Sequence, residues 1–179
     1  MIRYWVALLF VACGVAVASS ASGATERGVP IRVGQGIGPV NLGMTAAQVR
    51  RALGRPQGVV ERRTVGGQPY VELEYGLGAW AVGFLGRSGS RRVVLVATGL
   101  TRHRTPEGVG AGTKEGQFWR RMRGKGYRRR HCERGIVRIT HWVLARGGVE
   151  TVFLPGESFT DLEVHSVEVR RSPAVGCAF

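Results

Sequence analysis

Gly38-Pro39-Val40-Asn41-Leu42-Gly43-Met44-Thr45-Ala46-Ala47-Gln48-Val49-Arg50-Arg51-Ala52-Leu53-Gly54 decides how this chain is read. Its plan is written a second time as Gly108-Val109-Gly110-Ala111-Gly112-Thr113-Lys114-Glu115-Gly116-Gln117-Phe118-Trp119-Arg120-Arg121-Met122. Each copy brings a Gly-rich approach to a Thr that can N-cap a helix, then an apolar pair at helical spacing, Val49/Leu53 and Phe118/Met122. The registers differ by one residue, Val49 lying four after its Thr and Phe118 five after. The repeat is therefore degenerate, and it specifies architecture rather than activity.

Working outward, residues 25–37 read as a Gly-rich, polar lead-in. Gly54-Arg55-Pro56 stops the first helix. Four extended segments follow: Val59 to Thr64, Tyr70 to Tyr75, Ala79 to Leu85 and Arg91 to Thr98. The clearest is Tyr70-Val71-Glu72-Leu73-Glu74-Tyr75, whose apolar and polar residues alternate with the period of a half-buried strand. A linker from Gly99 to Glu107 leads to the second helix, and the order repeats with Tyr127 to Cys132, Ile136 to Val143, Gly148 to Leu154 and Leu162 to Arg170. In the last segment the apolar phase changes from Leu162/Val164 to Val167/Val169, which places a β-bulge near His165-Ser166. The expected fold is α+β: two tandem modules, 25–104 and 105–179, each a helix packed on a four-stranded antiparallel sheet.

The N-terminus carries Arg3, an apolar run from Tyr4, and small residues through Ala24. That layout is a secretory signal peptide over 1–24, with Ser22-Gly23-Ala24 preferred to Ala16-Val17-Ala18 as the cleavage site. The expected location is secreted or in the extracytoplasmic envelope. Phe10-Val11-Ala12-Cys13 loosely resembles a lipobox, so lipid anchoring through Cys13 is the competing placement. Cys132 and Cys177 then remain as a pair in an oxidising compartment, where a disulfide between them is expected and two buried thiols are the alternative.

The formal net charge is +14, and only Lys114 and Lys125 of 26 basic residues are lysine. Such an arginine bias also follows from GC-rich codon usage. The charge is nevertheless concentrated: Arg120, Arg121, Arg123, Lys125, Arg128, Arg129, Arg130 and Arg134 face Glu133 alone between Gln117 and Arg134. Arginine forks bond two oxygens at once, so Arg120, Arg121, Arg123, Lys125, Arg128, Arg129 and Arg130 are the candidate polyanion-binding residues, against a plainly solvated helix face and turn. The available polyanions outside a cell are anionic cell-wall polymers, acidic glycans, lipid head groups and extracellular DNA, with no sequence-specific nucleic-acid recognition implied.

Gly38 to Thr45, with Gln48-Val49-Arg50 and Leu53-Gly54-Arg55-Pro56, resembles the opening motif of the BamE (SmpA/OmlA) family. Those are small secreted or lipid-anchored envelope modules with helices on an antiparallel sheet. The tandem arrangement is similar to the beta-lactamase-inhibitor protein fold, and the whole chain to secreted tandem-module proteins of high-GC Gram-positive bacteria. The motif covers about twenty residues of the first unit, whereas Gly112-Thr113 stands where the second would need Gly-Met-Thr. The resemblance implies a binding or scaffold module outside the cytoplasm, and no residue-level signature of an inhibitor comes with it.

Catalysis has little support in the residues. Gly34-x-Gly36-x-Gly38 lacks the Lys-Ser/Thr pair of a phosphate loop. There is no Gly-x-Ser-x-Gly elbow, and His103, His131, His141 and His165 lack metal-ligand spacing. No enzyme activity, metal or cofactor is expected. The leading expectation is recognition of an extracellular or cell-wall protein through an open sheet face, with Tyr70, Glu72 and Glu74 on one module and Arg138, Thr140 and Trp142 on the other as contacts. The alternatives are a polyanion-binding envelope protein using 120–134, and an enzyme inhibitor.

Overall fold

The computed structural model describes residues 28–134, 137–156 and 162–171. The expected leader over 1–24, Cys13 and Cys177 therefore lie outside the described residues. Three two-residue strands open the described chain, β1 (Ile31–Arg32), β2 (Gly36–Ile37) and β3 (Val40–Asn41), paired as β1-β2-β3. The expected polar lead-in is instead a small antiparallel sheet, because Ile31, Ile37 and Val40 are each sealed from solvent and draw the glycines between them into tight turns.

Helix α1 (Ala46–Leu53) begins as its sequence directs. The Gln48 N–H donates to the Thr45 hydroxyl at 3.1 Å, and the Thr45 N–H donates back to the Gln48 side-chain oxygen at 2.8 Å. That reciprocal box satisfies two donors which the first helical turn cannot pair. Helix α2 (Glu115–Arg121) starts differently, with Lys114 at the N-cap. Thr113, expected to cap it, is buried and its hydroxyl accepts from the Gly110 N–H and from Arg104. The one-residue register difference between the copies moves the Thr out of capping position.

Four strands follow each helix: β4 (Gly58–Val65), β5 (Gln68–Tyr75), β6 (Trp80–Leu85) and β7 (Arg92–Thr98), then β8 (Arg128–Arg134), β9 (Val137–Arg146), β10 (Val149–Pro155) and β11 (Val164–Arg171). They do not form two sheets. All eight join one antiparallel sheet in the order β4-β5-β6-β7-β11-β10-β9-β8, with the seam made by Val169↔Val96 and Val167↔Thr98. The expected α+β pair of helix-on-sheet modules is thus corrected to a mostly β protein with two helices of eight and seven residues. The reason is visible in β7, where Val93, Val94, Leu95 and Val96 are all buried. A run apolar on both faces belongs in the middle of a sheet, and leaving it as an edge would expose unpaired backbone along a hydrophobic strand.

Both helices pack on the same sheet face through one continuous core. Val49 of α1 and Phe118 of α2, with Met122 just beyond it, belong to a single cluster with Val71, Tyr75, Val82, Phe84, Val96, Trp142, Phe153, Val167 and Val169. Phe118 is its aromatic hub, 4.4 Å from Trp142, 5.0 Å from Phe153 and 5.5 Å from Tyr127 between ring centroids. The register shift expected near His165-Ser166 is present: Leu154 pairs with Ser166 and Pro155 with Val164, leaving His165 unpaired. Further shifts fall at Val60 in β4 and Val94 in β7.

Candidate recognition surface

Strand alternation assigns each side chain to a face. Trp142 pairs with Phe153, which pairs with Val167, then Thr98, Trp80 and Tyr75, so this row lies on the helix-covered face. Glu74 pairs with Ala81, then Ala97, Glu168, Val152, Val143 and Arg128, which places this second row on the face away from the helices. The two expected contact sets therefore sit on opposite sides of one sheet. Tyr70, Glu72 and Glu74 belong to the face away from the helices. Thr140 and Trp142 belong to the other, as does position 138 by alternation, although the Arg138 side chain is outside the described residues.

Trp142 is 0 % exposed and is core, not an accessible anchor. Thr140 is half-buried and shares a hydrogen bond of 3.1 Å with His131. Tyr70 is only 2 % exposed, so it too is not a free aromatic contact. Its hydroxyl donates to Glu72 at 2.6 Å, and the Arg63 guanidinium lies 5.0 Å from its ring centroid. Burial, then the hydrogen bond to Glu72, pushes the Tyr70 hydroxyl well above the usual range, which keeps it a donor. The ring lies over Gly83, where an added Cβ would meet the hydroxyl oxygen at 2.4 Å. Only glycine permits that approach.

At the centre of this face stand small residues, Ala81, Gly83 and Ala97. Around them is a network that sequence reasoning missed. Glu150, 4 % exposed, accepts from Arg130 at 2.7 Å and from Arg170 at 3.3 Å, while Arg170, 3 % exposed, also reaches Glu168 at 3.1 Å. Burial alone would push the Glu150 carboxyl up, but the two guanidinium groups outweigh it and hold it below the usual carboxylate range. His141 lies beside this network, with Nδ1 3.5 Å from Cys132 Sγ. Burial, followed by the charges of Arg170 and Arg130, lowers its pKa to about 4. The available signal was period-two polarity in β10 and β11, Glu150, Glu168 and Arg170. Their pairing emerges only from the strand register.

The seven candidate polyanion residues are not gathered on one surface. Arg120 and Arg121 are on α2 and Arg123 and Lys125 in the turn beyond it. Arg128 and Arg130 belong to the face away from the helices, and Arg129 to the helix side. Several are already committed. Lys125 pairs with Glu107 at 3.1 Å, Arg129 with Glu115 at 2.6 Å while lying over the Trp119 ring, Arg130 with Glu150, and Arg121 donates to the Gly108 carbonyl. Arg128, Arg129 and Arg130 do line one cleft of about 450 Å³ with Gly126, Val143 and Ala145. β8 is an edge of the sheet, and arginines there also discourage edge-to-edge pairing.

Among the described residues no group of three or more His, Cys, Asp or Glu is placed to hold a metal ion, and no helix is long and apolar enough to cross a membrane. No family model and no curated protein matches the sequence. Among solved structures, the chain is similar to a DUF4309 family protein, YjgB, from Bacillus subtilis subsp. subtilis str. 168, at 17% identity and a TM-score of 0.45, over 83% of this chain and 90% of that one. That likeness is too slight for a fold or a function to be carried from one chain to the other.

Proposed function

We propose that this protein is a non-enzymatic extracytoplasmic binding module that recognises a protein partner through the sheet face away from its helices. One observation carries the reading. That face has small, partly exposed residues at its centre, Ala81 and Ala97, flanked by charged side chains already fixed in ion pairs and hydrogen bonds. Small central residues allow close approach of a partner, and pre-oriented charges lose little freedom when it arrives. The contact set is revised accordingly to Glu72, Glu74, Ala97 and Glu168, with Tyr70 as the support beneath Glu72. The BamE-like kinship, the leader over 1–24 and the Cys132–Cys177 bridge remain parts of this proposal.

The test compares capture of cell-wall and extracellular proteins by the wild type and three variants at low and moderate salt. A partner held by the wild type at moderate salt should be lost with Glu72→Lys combined with Glu74→Lys, or with Ala97→Arg. It should be retained when Arg120 and Arg123, which lie off that sheet face, become Ala. Loss with the arginine variant alone, together with loss at moderate salt, would favour polyanion binding and refute recognition through the sheet face.

A further inference from the structure

We propose that the cavity beside the β7 bulge binds a small amphipathic carboxylate, an organic acid with an aliphatic body. The cavity has a volume of about 730 Å³. Val65, Leu85 and Val94 form its apolar wall, and Arg92 and Arg171 bring two guanidinium groups to it from different strands. The wall belongs to the second apolar cluster, in which Val65 and Leu85 pack against Tyr70, Val94 and Leu95. Val94 is the extra residue of the bulge, since Gly83 pairs with Leu95 and Phe84 with Val93. Bulges redirect a side chain in this way at the cost of one ladder position.

Like Arg62 and Arg128, the two arginines differ from those arginines of this sheet that are ion-paired among the described residues. Arg63 has Glu61, Arg129 has Glu115, Arg130 has Glu150, and Arg170 has both Glu150 and Glu168. Arg92 and Arg171 have no carboxylate partner among the described residues, and none of the cavity's described lining residues is acidic. Arg171 follows the doubly paired Arg170 in the same strand and alternates to its other face, away from Glu150 and Glu168. Its guanidinium lies against position 43. Gly43 has φ +84° and donates its N–H to the Val93 carbonyl, and a Cβ there would meet Arg171 Nη2 at 3.6 Å.

Two like charges at one cavity, without an acid between them, repel one another until an anion arrives, and guanidinium groups grip a carboxylate through paired N–H donors. A concave, mostly apolar site with a few polar groups at one place is the usual form of a small-molecule pocket, and its volume falls in the ordinary range of about 300–1,000 Å³. Gln68 and Ser90 also line the cavity, whereas the side chains of Val65, Leu85 and Val94 offer no hydrogen-bond partner, so an aliphatic body is favoured against that wall. The site includes neither Glu72 nor Glu74 and stands apart from partner recognition.

Calorimetric titration of the full secreted chain with sodium decanoate, below its micelle concentration, tests this. Saturable binding near one site per chain is expected. It should weaken at least tenfold in Arg92→Gln combined with Arg171→Gln, and decanol and acetate should each bind at least tenfold more weakly than decanoate. Both arginines are exposed, so the variants should melt as the wild type does. The absence of saturable binding, equal binding of decanol, or an undiminished affinity in the double variant would overturn the proposal. Acetate binding as tightly as decanoate would also overturn it, by showing a bare anion site. The comparison among decanoate, decanol and acetate on the wild type alone decides the matter if a variant misfolds.

Discussion

Lowering the pH from about 7.5 to about 5 should destabilise this protein through two buried histidines, and His103 allows the effect to be isolated. Its ring is 0 % exposed and lies 4.5 Å from the Trp80 ring. The Thr98 hydroxyl donates to the Ala79 carbonyl at 2.9 Å, so at 2.7 Å its oxygen is left to accept from His103 Nδ1–H. That fixes a neutral ring protonated on Nδ1, and Nε2 has no hydrogen-bond partner among the described residues. Burial, then the charge of Arg102, pushes its pKa down to about 4 from an ordinary 6.5. The unfolded chain therefore binds a proton that the folded chain refuses, and stability falls as pH drops through that interval. Between about pH 7.5 and pH 5 the integrated loss is roughly 2 kcal/mol for each such ring, hence about 4 kcal/mol for His103 and His141 together. Glu107 and Glu150 are held below their usual values, so their loss begins lower, near the ordinary carboxylate pKa. Glu168 is raised by burial and acts in the opposite direction, favouring the folded state as pH falls. Urea unfolding followed by tryptophan fluorescence at several pH values measures the slope. His103→Gln should be less stable at neutral pH yet lose about 2 kcal/mol less on acidification. A variant that retained the full wild-type pH dependence would refute the assignment of a buried neutral ring.

Other substitutions probe the sheet itself. Trp142→Ala, by emptying the pocket beside Phe118 and Phe153, should cost about 3–5 kcal/mol in chemical unfolding, whereas an exposed anchor would cost little. Gly83→Val should cost about 1–3 kcal/mol, since its side chain must displace the Tyr70 ring, and Tyr70 fluorescence should report loss of the bond to Glu72. Glu150→Gln leaves the buried Arg170 short of its partner and should cost about 3–5 kcal/mol, while Arg128→Ala, exposed and unconnected to that network, should change stability by less than about 0.5 kcal/mol. A non-reducing peptide map should join Cys132 to Cys177, and reduction should lower stability by about 4 kcal/mol in the chain-entropy model.

How far the sequence reaches depends on the range of the interaction. The capping box of Thr45 and Gln48 spans one helical turn, and the alternation from Tyr70 to Tyr75 lies within one strand, so both are legible locally. Thr113 misleads because one added residue turns a cap into a buried acceptor for Gly110 and Arg104. Trp142 misleads for a different reason. Period two separates the faces of β9 but cannot say which face the helices will cover, since that depends on every strand between β9 and β5. The same limit hid Glu150 and Arg170, which read singly as surface charges and become a buried pair only through the β10–β11 register.

The duplicated plan predicts two units only if each can close its own sheet. The run Val93-Val94-Leu95-Val96 carries apolar side chains to both faces, and an edge strand of that kind would expose hydrophobic surface and unpaired amides together. Pairing β7 with β11 removes both liabilities and brings the last strand of each copy to the centre. The seam then sets opposite chemistries on the two sides of one sheet, an aromatic core beneath the helices and an ion-paired face away from them. If that face recognises a partner, a change at Glu74 should alter partner binding with little effect on folding, while a change one residue away, at Tyr75, should do the reverse.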